Sequence, residues 1–450
     1  MGKQARYSSG MKISRILHAG YLLESKGTQI AFDTIFENPF SRNCYAFPKV
    51  SFDKAQIRKL KLDAVFISHF HDDHWSLDSL ALLDRETPIY GFCVFEEFFS
   101  LTKKLGFKEV YSLKLNQPVQ VGGFTVTPRR ALDEDVDSLF QIQAEGLNVL
   151  NVVDSWIDYD TLDLLVAQGF WDLIMWPFQT MREIEVLSPS RAEPACGELP
   201  PEWIEQLKRL NPKSVIPSSC QFQMEDWSWY NKAFFPITYA QFRHELVQAL
   251  PSVKVVRLDP SLSIELSKES VLAAAPLPWM SRLATEEVDY EYDAEQVIPS
   301  TAEVAQKLGP TSDAVRARVQ NYCRFELPER YGSLTEPEEN YFEKPCLWQL
   351  SVFDDKGNAE VFCYLIEGRK VRPATQVQCA QSVAWQTEVP LAKLHAALEL
   401  GESLTSMYMR INDGPGAPEA DVMQDPLVRC LFEGLFASYQ KAQLKAMGIG

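Results

Sequence analysis

A strand that ends in a histidine cluster constrains this chain more than any other feature. The apolar run Asp63–Ser68 (DAVFIS) leads into His69-Phe70-His71-Asp72-Asp73-His74 and then into a segment with helical spacing, Leu77–Leu83. Three of the six histidines lie within six residues. On extended backbone, residues i and i+2 share a face, so His69 and His71 converge on one ion, while Asp73 and His74, past the turn, reach a second nearby. Gathering imidazoles and carboxylates at the end of a buried strand costs solvation free energy that bound cations return. The run therefore reads as a centre for two divalent metal ions.

Around it, over residues 11–270, β-like apolar runs alternate with amphipathic helical ones. Ile13–Glu24 and Thr28–Phe36 are expected as a hairpin turning at Ser25–Gly27. Further strands are expected at Leu139–Gln143, Leu147–Val153, Asp172–Trp176 and Ser214–Pro217, and helices at Val94–Leu105, Thr161–Gln168, Pro201–Leu210 and Tyr239–Leu250. Meanders followed by strands interleaved with helices predict an α/β core with helices outside. From Val271, an Ala/Pro segment and the acidic Glu286, Glu287, Asp289, Glu291 and Asp293 predict a linker over 271–340, which ends in the acidic stretch Thr335–Asn340. Residues 341–450 read as a smaller α+β domain. Its expected elements are strands Leu347–Phe353 and Ala359–Ile366, a helix Leu391–Leu400, a strand Ser406–Ile411 and a final helix from Leu427 to Leu444.

Composition excludes several partners. With 44 Lys+Arg against 61 Asp+Glu the formal charge is −17, and no basic run is present to displace counterions from a nucleic acid. No apolar stretch approaches the roughly 18 residues of a membrane span, and MGKQARYSSG is not a signal peptide, so a cytoplasmic location is expected. Residues 1–10 read as an extension ahead of Met11. Nine cysteines are scattered, never as CxxC or CxH, which argues against a disulfide framework, a zinc knuckle or an intrinsic Rieske cluster. The aromatic segment from Phe222 to Pro236 suits either a lid over the metals or a loop packed on the core.

The HxHxDH run is the signature of the metallo-β-lactamase superfamily, which the chain resembles over residues 11–270. That resemblance implies an αββα sandwich with the metals at one edge of two sheets. It implies that Asp154, closing LNVLNVVD, bridges the metals and that Asp33 buttresses a metal-bound histidine. His18 in LHAGYLLE resembles a histidine near the metals and is, with Asp73, a catalytic candidate; taken alone it is equally a hydrogen-bonded core histidine. The family places a further histidine where this chain has Leu132-Asp133-Glu134-Asp135-Val136-Asp137. Acids must replace it, and Asp133 or Asp135 is expected, since alternate residues of an extended segment share a side. The family's last histidine is also missing from Pro217-Ser218-Ser219-Cys220-Gln221, so the second metal is expected to have fewer ligands, with Cys220 a packed thiol.

Carboxylate in place of imidazole shifts the expected chemistry toward iron or manganese and dioxygen. The segments DAVFISHFHDDHWS, ALDEDVDSLFQI, LNVLNVVDSW and IPSSCQFQMED look like the metallo-β-lactamase-like part of CMP-N-acetylneuraminate hydroxylases. The acid-for-histidine exchange resembles the diiron β-hydroxylase of chloramphenicol biosynthesis. These likenesses imply a diiron oxygenase acting on a small organic molecule, with iron favoured over manganese or zinc. Without a Rieske domain it would need a separate electron donor. The alternative is a hydrolase that directs a metal-bound hydroxide at an ester, lactone, amide or phosphodiester. The C-terminal block is similar to sterol-carrier-protein-like domains, which implies an apolar cavity for a hydrophobic substrate or a wall for a homo-oligomer.

Overall fold

The computed structural model describes all residues except 1–9, 194, 196, 285–287, 335–341, 343, 376 and 379–382. The expectations for the N-terminal extension, Glu286, Glu287 and the acidic stretch Thr335–Asn340 fall on residues outside this set, apart from Gly10.

Two sheets lie face to face. The first has eight strands; its middle runs from Met11–Arg15 through Tyr21–Ser25, Thr28–Phe32 and Ala64–Ile67 to Ile89–Gly91. The second has seven, with Leu173–Trp176, Leu147–Asn151, Ser138–Ala144 and Phe124–Arg130 adjacent in that order. Each sheet begins antiparallel and becomes parallel, as short hairpins give way to helical crossovers. Phe32 stacks on Phe66 within the first sheet (ring centroids 5.2 Å apart) and meets Phe140 of the second at 5.1 Å, so these rings lie in the inter-sheet core. Outside one sheet, Trp75 and Phe98 are buried from the segments following its strands. Outside the other, Leu162, Trp203 and Phe242 are buried on the crossover helices Tyr159–Ala167, Pro201–Leu210 and Tyr239–Ala249. The architecture is helix, sheet, sheet, helix.

The expected hairpin is a three-stranded meander. Ile13–Glu24 is split after Arg15 because His18 takes a left-handed φ of 49° and the chain reverses there. Gly20 permits the reversal, since a Cβ at that position would lie 2.6 Å from the carbonyl oxygen of Asp33.

The segment expected as a linker carries regular structure. Val271–Ala274 is an edge strand of the first sheet, Met280–Arg282 pairs with Val50–Phe52, and helices follow at Thr301–Lys307, Asp313–Asn321 and Leu327–Ser333. The C-terminal block is a five-stranded sheet in which Cys346–Phe353 lies between Ala359–Glu367 and Trp385–Pro390. Lys370–Pro373 and Trp385–Pro390 were not expected, and the strand expected at Ser406–Ile411 lies at Arg410–Asp413. The expected final helix is two, Pro426–Phe432 and Ser438–Ala446, broken where Gly434 and Ala437 take left-handed φ of 66° and 56°. Among the described residues, no helix is long and apolar enough to cross a membrane.

Candidate metal centre

The ends of several strands converge on one edge of the sandwich, where parallel strands present their C-terminal turns. His69 follows Ala64–Ile67, Asp33 follows Thr28–Phe32, Asp154 follows Leu147–Asn151 and Cys220 follows Ser214–Pro217. Asp137 stands immediately before Ser138–Ala144, whose antiparallel course brings its start to the same edge. The backbone here is held away from its relaxed conformation. His18, Asp33, Val153 and Cys220 all have φ between 41° and 64°. For a β-branched residue such as Val153 this is a true outlier, and each such residue costs on the order of 1–3 kcal/mol that the surrounding packing must supply.

The donors cluster tightly. His74 Nε2 lies 3.0 Å from Asp154 Oδ2 and 3.8 Å from Asp73 Oδ1. His18 Nε2 lies 3.0 Å from His74 Nε2 and 3.2 Å from Asp73 Oδ2. Beside this group, His69 Nε2 is 3.0 Å from His71 Nδ1 and 3.9 Å from Asp154 Oδ1, and His69 Nδ1 is 3.7 Å from Asp137 Oδ1. Two ligands of one ion, each about 2.1 Å from it, stand roughly 3 to 3.5 Å apart, so these separations suit metal binding. Asp154 Oδ1 is buried with no hydrogen-bond partner, a cost that a cation beside it would remove.

One buried carboxylate sets the ring orientations. Asp33 accepts from the Ser68 amide and hydroxyl (both 2.8 Å) and from His74 Nδ1 (3.0 Å). With its hydroxyl proton given to Asp33, Ser68 Oγ accepts from His69 Nδ1 at 2.9 Å. Both rings therefore direct Nδ1 to these acceptors and present Nε2 to the cluster, the orientation a metal ligand needs. His18 is set the opposite way. The Cys220 amide donates to its Nδ1 at 2.9 Å, so the neutral ring carries its proton on Nε2 and presents a donor to the cluster.

Electrostatics follow this arrangement. Burial, then the neighbouring His74, pushes the His69 pKa well below its ordinary value. Burial opposes a charge on His74, but Asp154, Asp73 and Asp33 outweigh it and hold its pKa well above the ordinary value. Asp154 is buried too, yet His74 and His69 hold its carboxyl well below the usual range. Asp137 is pushed up to about 6 by burial and by the charge of Asp154.

Of the expected residues, His18, His69, His71, Asp73, His74 and Asp154 come together. Asp133 and Asp135 do not; both are exposed. The amides of Val136 and Asp137 both bond to the carbonyl oxygen of Asp133, so the segment is a turn rather than an extended strand and the alternation argument fails. Asp137 is the acid the turn delivers to the site. His18, on the turn between Met11–Arg15 and Tyr21–Ser25, sits against Cys220 from across the edge; Cys220 is itself a buried free thiol.

No protein-family model matches the chain, and no curated protein matches it. Among solved structures, Igni18, a metallo hydrolase from the archaeon Ignicoccus hospitalis KIN4/I, is 19% identical over 57% of this chain and 99% of its own, with a TM-score of 0.41. YhfI from Bacillus subtilis, a metallo-β-lactamase fold protein, is 18% identical over 57% and 99%, with a TM-score of 0.38. CmlA, a diiron β-hydroxylase from Streptomyces venezuelae, is 15% identical over 57% of this chain and 53% of its own, with a TM-score of 0.39. At these values the likenesses carry no argument about this chain. Two facing sheets, helices on both outer faces, and a donor group of His18, Asp73, His74 and Asp154 with His69 and His71 beside it at one edge give this chain the metallo-β-lactamase fold.

Proposed function

We propose that the chain is a dinuclear metalloenzyme that oxidises or hydroxylates a small organic substrate, with iron as its preferred metal. The observation that carries this reading is the donor set. His69, His71 and Asp137 would hold one ion, Asp73 and His74 the other, with Asp154 between them. Three imidazoles balanced by three carboxylates suit iron or manganese better than a nitrogen-rich zinc site does. When bound, such a pair supplies Lewis acidity and, as iron, redox equivalents for oxygen chemistry. This chain's own residues orient and protect. Asp33 and Ser68 fix the ligand rings, and His18, buried with its Nε2 against Asp73 and His74, would hold these donors in place. Phe222, Phe234 and the C-terminal block wall the edge from bulk water. A separate electron donor would complete the cycle. Hydrolysis is the second reading, in which one ion would hold a hydroxide and the substrate's leaving oxygen would take a proton from the cluster.

Metal analysis of protein purified without added metal separates the two. About two irons per chain with a ligand-to-metal absorption band supports oxidation. Stoichiometric zinc with oxygen-independent turnover of esters would replace it with hydrolysis, and protein that retains no metal would reduce the chain to a binding module.

A further inference from the structure

A cavity of about 630 Å³ lies between the metal edge and the C-terminal block. His69 and His71 line one side, and Leu404, Leu431, Phe432 and Leu435 line the other with apolar surface. Among the described residues no lysine or arginine lines it, so away from the ions that the proposed centre would hold, the cavity offers no counter-charge for an anionic group. Its acids are mostly committed. Asp73, Asp137 and Asp154 belong to the centre, Glu402 is paired with Lys393 at 3.2 Å, and Asp72 accepts from Gln440.

Glu183 is the exception. It opens the helix Glu183–Leu187 and makes no hydrogen bond or ion pair among the described residues; burial pushes its carboxyl up, and its one charged neighbour is His71. With Met181 and Met423 it lines both this cavity and an adjoining outer groove, so it stands at the junction of the two. The groove's two arginines are already engaged, Arg182 by Glu185 and Arg191 by Asp413. A free carboxylate at the mouth of an apolar chamber draws in cations and turns away anions.

We propose that the cavity takes an amphiphilic amine, with the ammonium at Glu183, the apolar body against the leucine and phenylalanine wall, and the reacting end toward the histidine cluster. The orientation of the reacting end rests on the metalloenzyme reading; the binding of the amine does not.

Two fluorescent probes test this directly: dansylcadaverine and N-dansyl-6-aminohexanoate, which share an apolar body and differ in terminal charge. Binding is titrated on the full chain, with metal content measured on the same samples. The amine should bind at least about tenfold more tightly, and Glu183→Gln should abolish most of that preference. Filling the cavity with Leu435→Trp, or with Leu404→Trp if the first does not fold, should weaken both probes at least about tenfold. Equal binding, a preference for the carboxylate, or a preference that survives Glu183→Gln would overturn the proposal. Probe binding unaffected by a folded filled-cavity variant would overturn it too. An amine preference in protein that carries no metal would sink the metalloenzyme reading while upholding this one.

Discussion

Replacing Gln443 by alanine should loosen the metal loop from a position remote in sequence. Gln443 is only 4% exposed. Its Oε1 accepts from the amide of Leu77 at 2.8 Å, and its Nε2 donates to Ser76 Oγ at 3.0 Å and to Asp78 Oδ2 at 3.2 Å. Leu77 begins the helix Leu77–Leu80, three residues after His74, and its amide is one of the donors that a helix start leaves without an internal partner. Gln440 assists from the preceding turn, donating to the carbonyl oxygen of Trp75 at 2.7 Å. Truncation at 443 strands the buried Leu77 amide, at about 1–3 kcal/mol. Ser76 keeps its bond to Glu37 and exposed Asp78 can turn to water, so those losses add at most about 1 kcal/mol. The total, about 1–4 kcal/mol, is a sizeable part of a typical folding stability. Urea unfolding of metal-loaded protein would measure it, and equilibrium dialysis should show bound metal released about tenfold more readily. Gln443→Glu keeps the acceptor for Leu77 but sets a carboxylate against Asp78, so adding Asp78→Asn should recover part of the loss. A loss below about 0.5 kcal/mol with unchanged metal affinity would refute the reasoning.

Two further outcomes are expected. Asp137→Ala should remove about one bound metal per chain, whereas Asp133→Ala and Asp135→Ala, on the exposed turn, should retain the full complement; elemental analysis decides, and equal retention in all three would dismiss Asp137. Asp172 is buried, which favours its neutral form, but Lys213, the Asn148 amide and Lys268 outweigh burial and hold its carboxyl below the ordinary 3.8. Its contribution is therefore complete above pH 3.8 and is lost as pH falls through the lowered folded value. Asp172→Asn should destabilise the protein at pH 7 by an amount that shrinks in acid, and a gap independent of pH would contradict this.

What could be foreseen from the residues followed the reach of local geometry. The run from His69 to His74 is contiguous and sits at a strand end, so its convergence needs only the strand exit and the tight turn closed on the His71 carbonyl. Asp154 was picked out by the resemblance, because an aspartate at a strand end is on its own more often a turn former. Asp137 was not, because its inward direction depends on a turn closed by the carbonyl of Asp133. Its one local signal was its place directly before the buried Ser138-Leu139-Phe140. The tautomer of His18 depends on an amide 202 positions away, and the cavity wall on residues more than 300 positions beyond the histidines. Such pairings are set by packing, which no local pattern encodes.

The clamp from Gln440 and Gln443 onto the residues after His74 also fixes an order in time. The bond from Leu77 to Gln443 spans 366 positions. At roughly 5–20 residues per second, a ribosome takes about 20 to 70 seconds between making one partner and the other. Throughout that interval the nascent chain holds its histidines and aspartates without the helix that braces them. The loop after His74 is thus braced only once Gln440 and Gln443 have been made, and a chain cut upstream of Gln440 would keep the candidate donors but leave the loop that aims them unsupported.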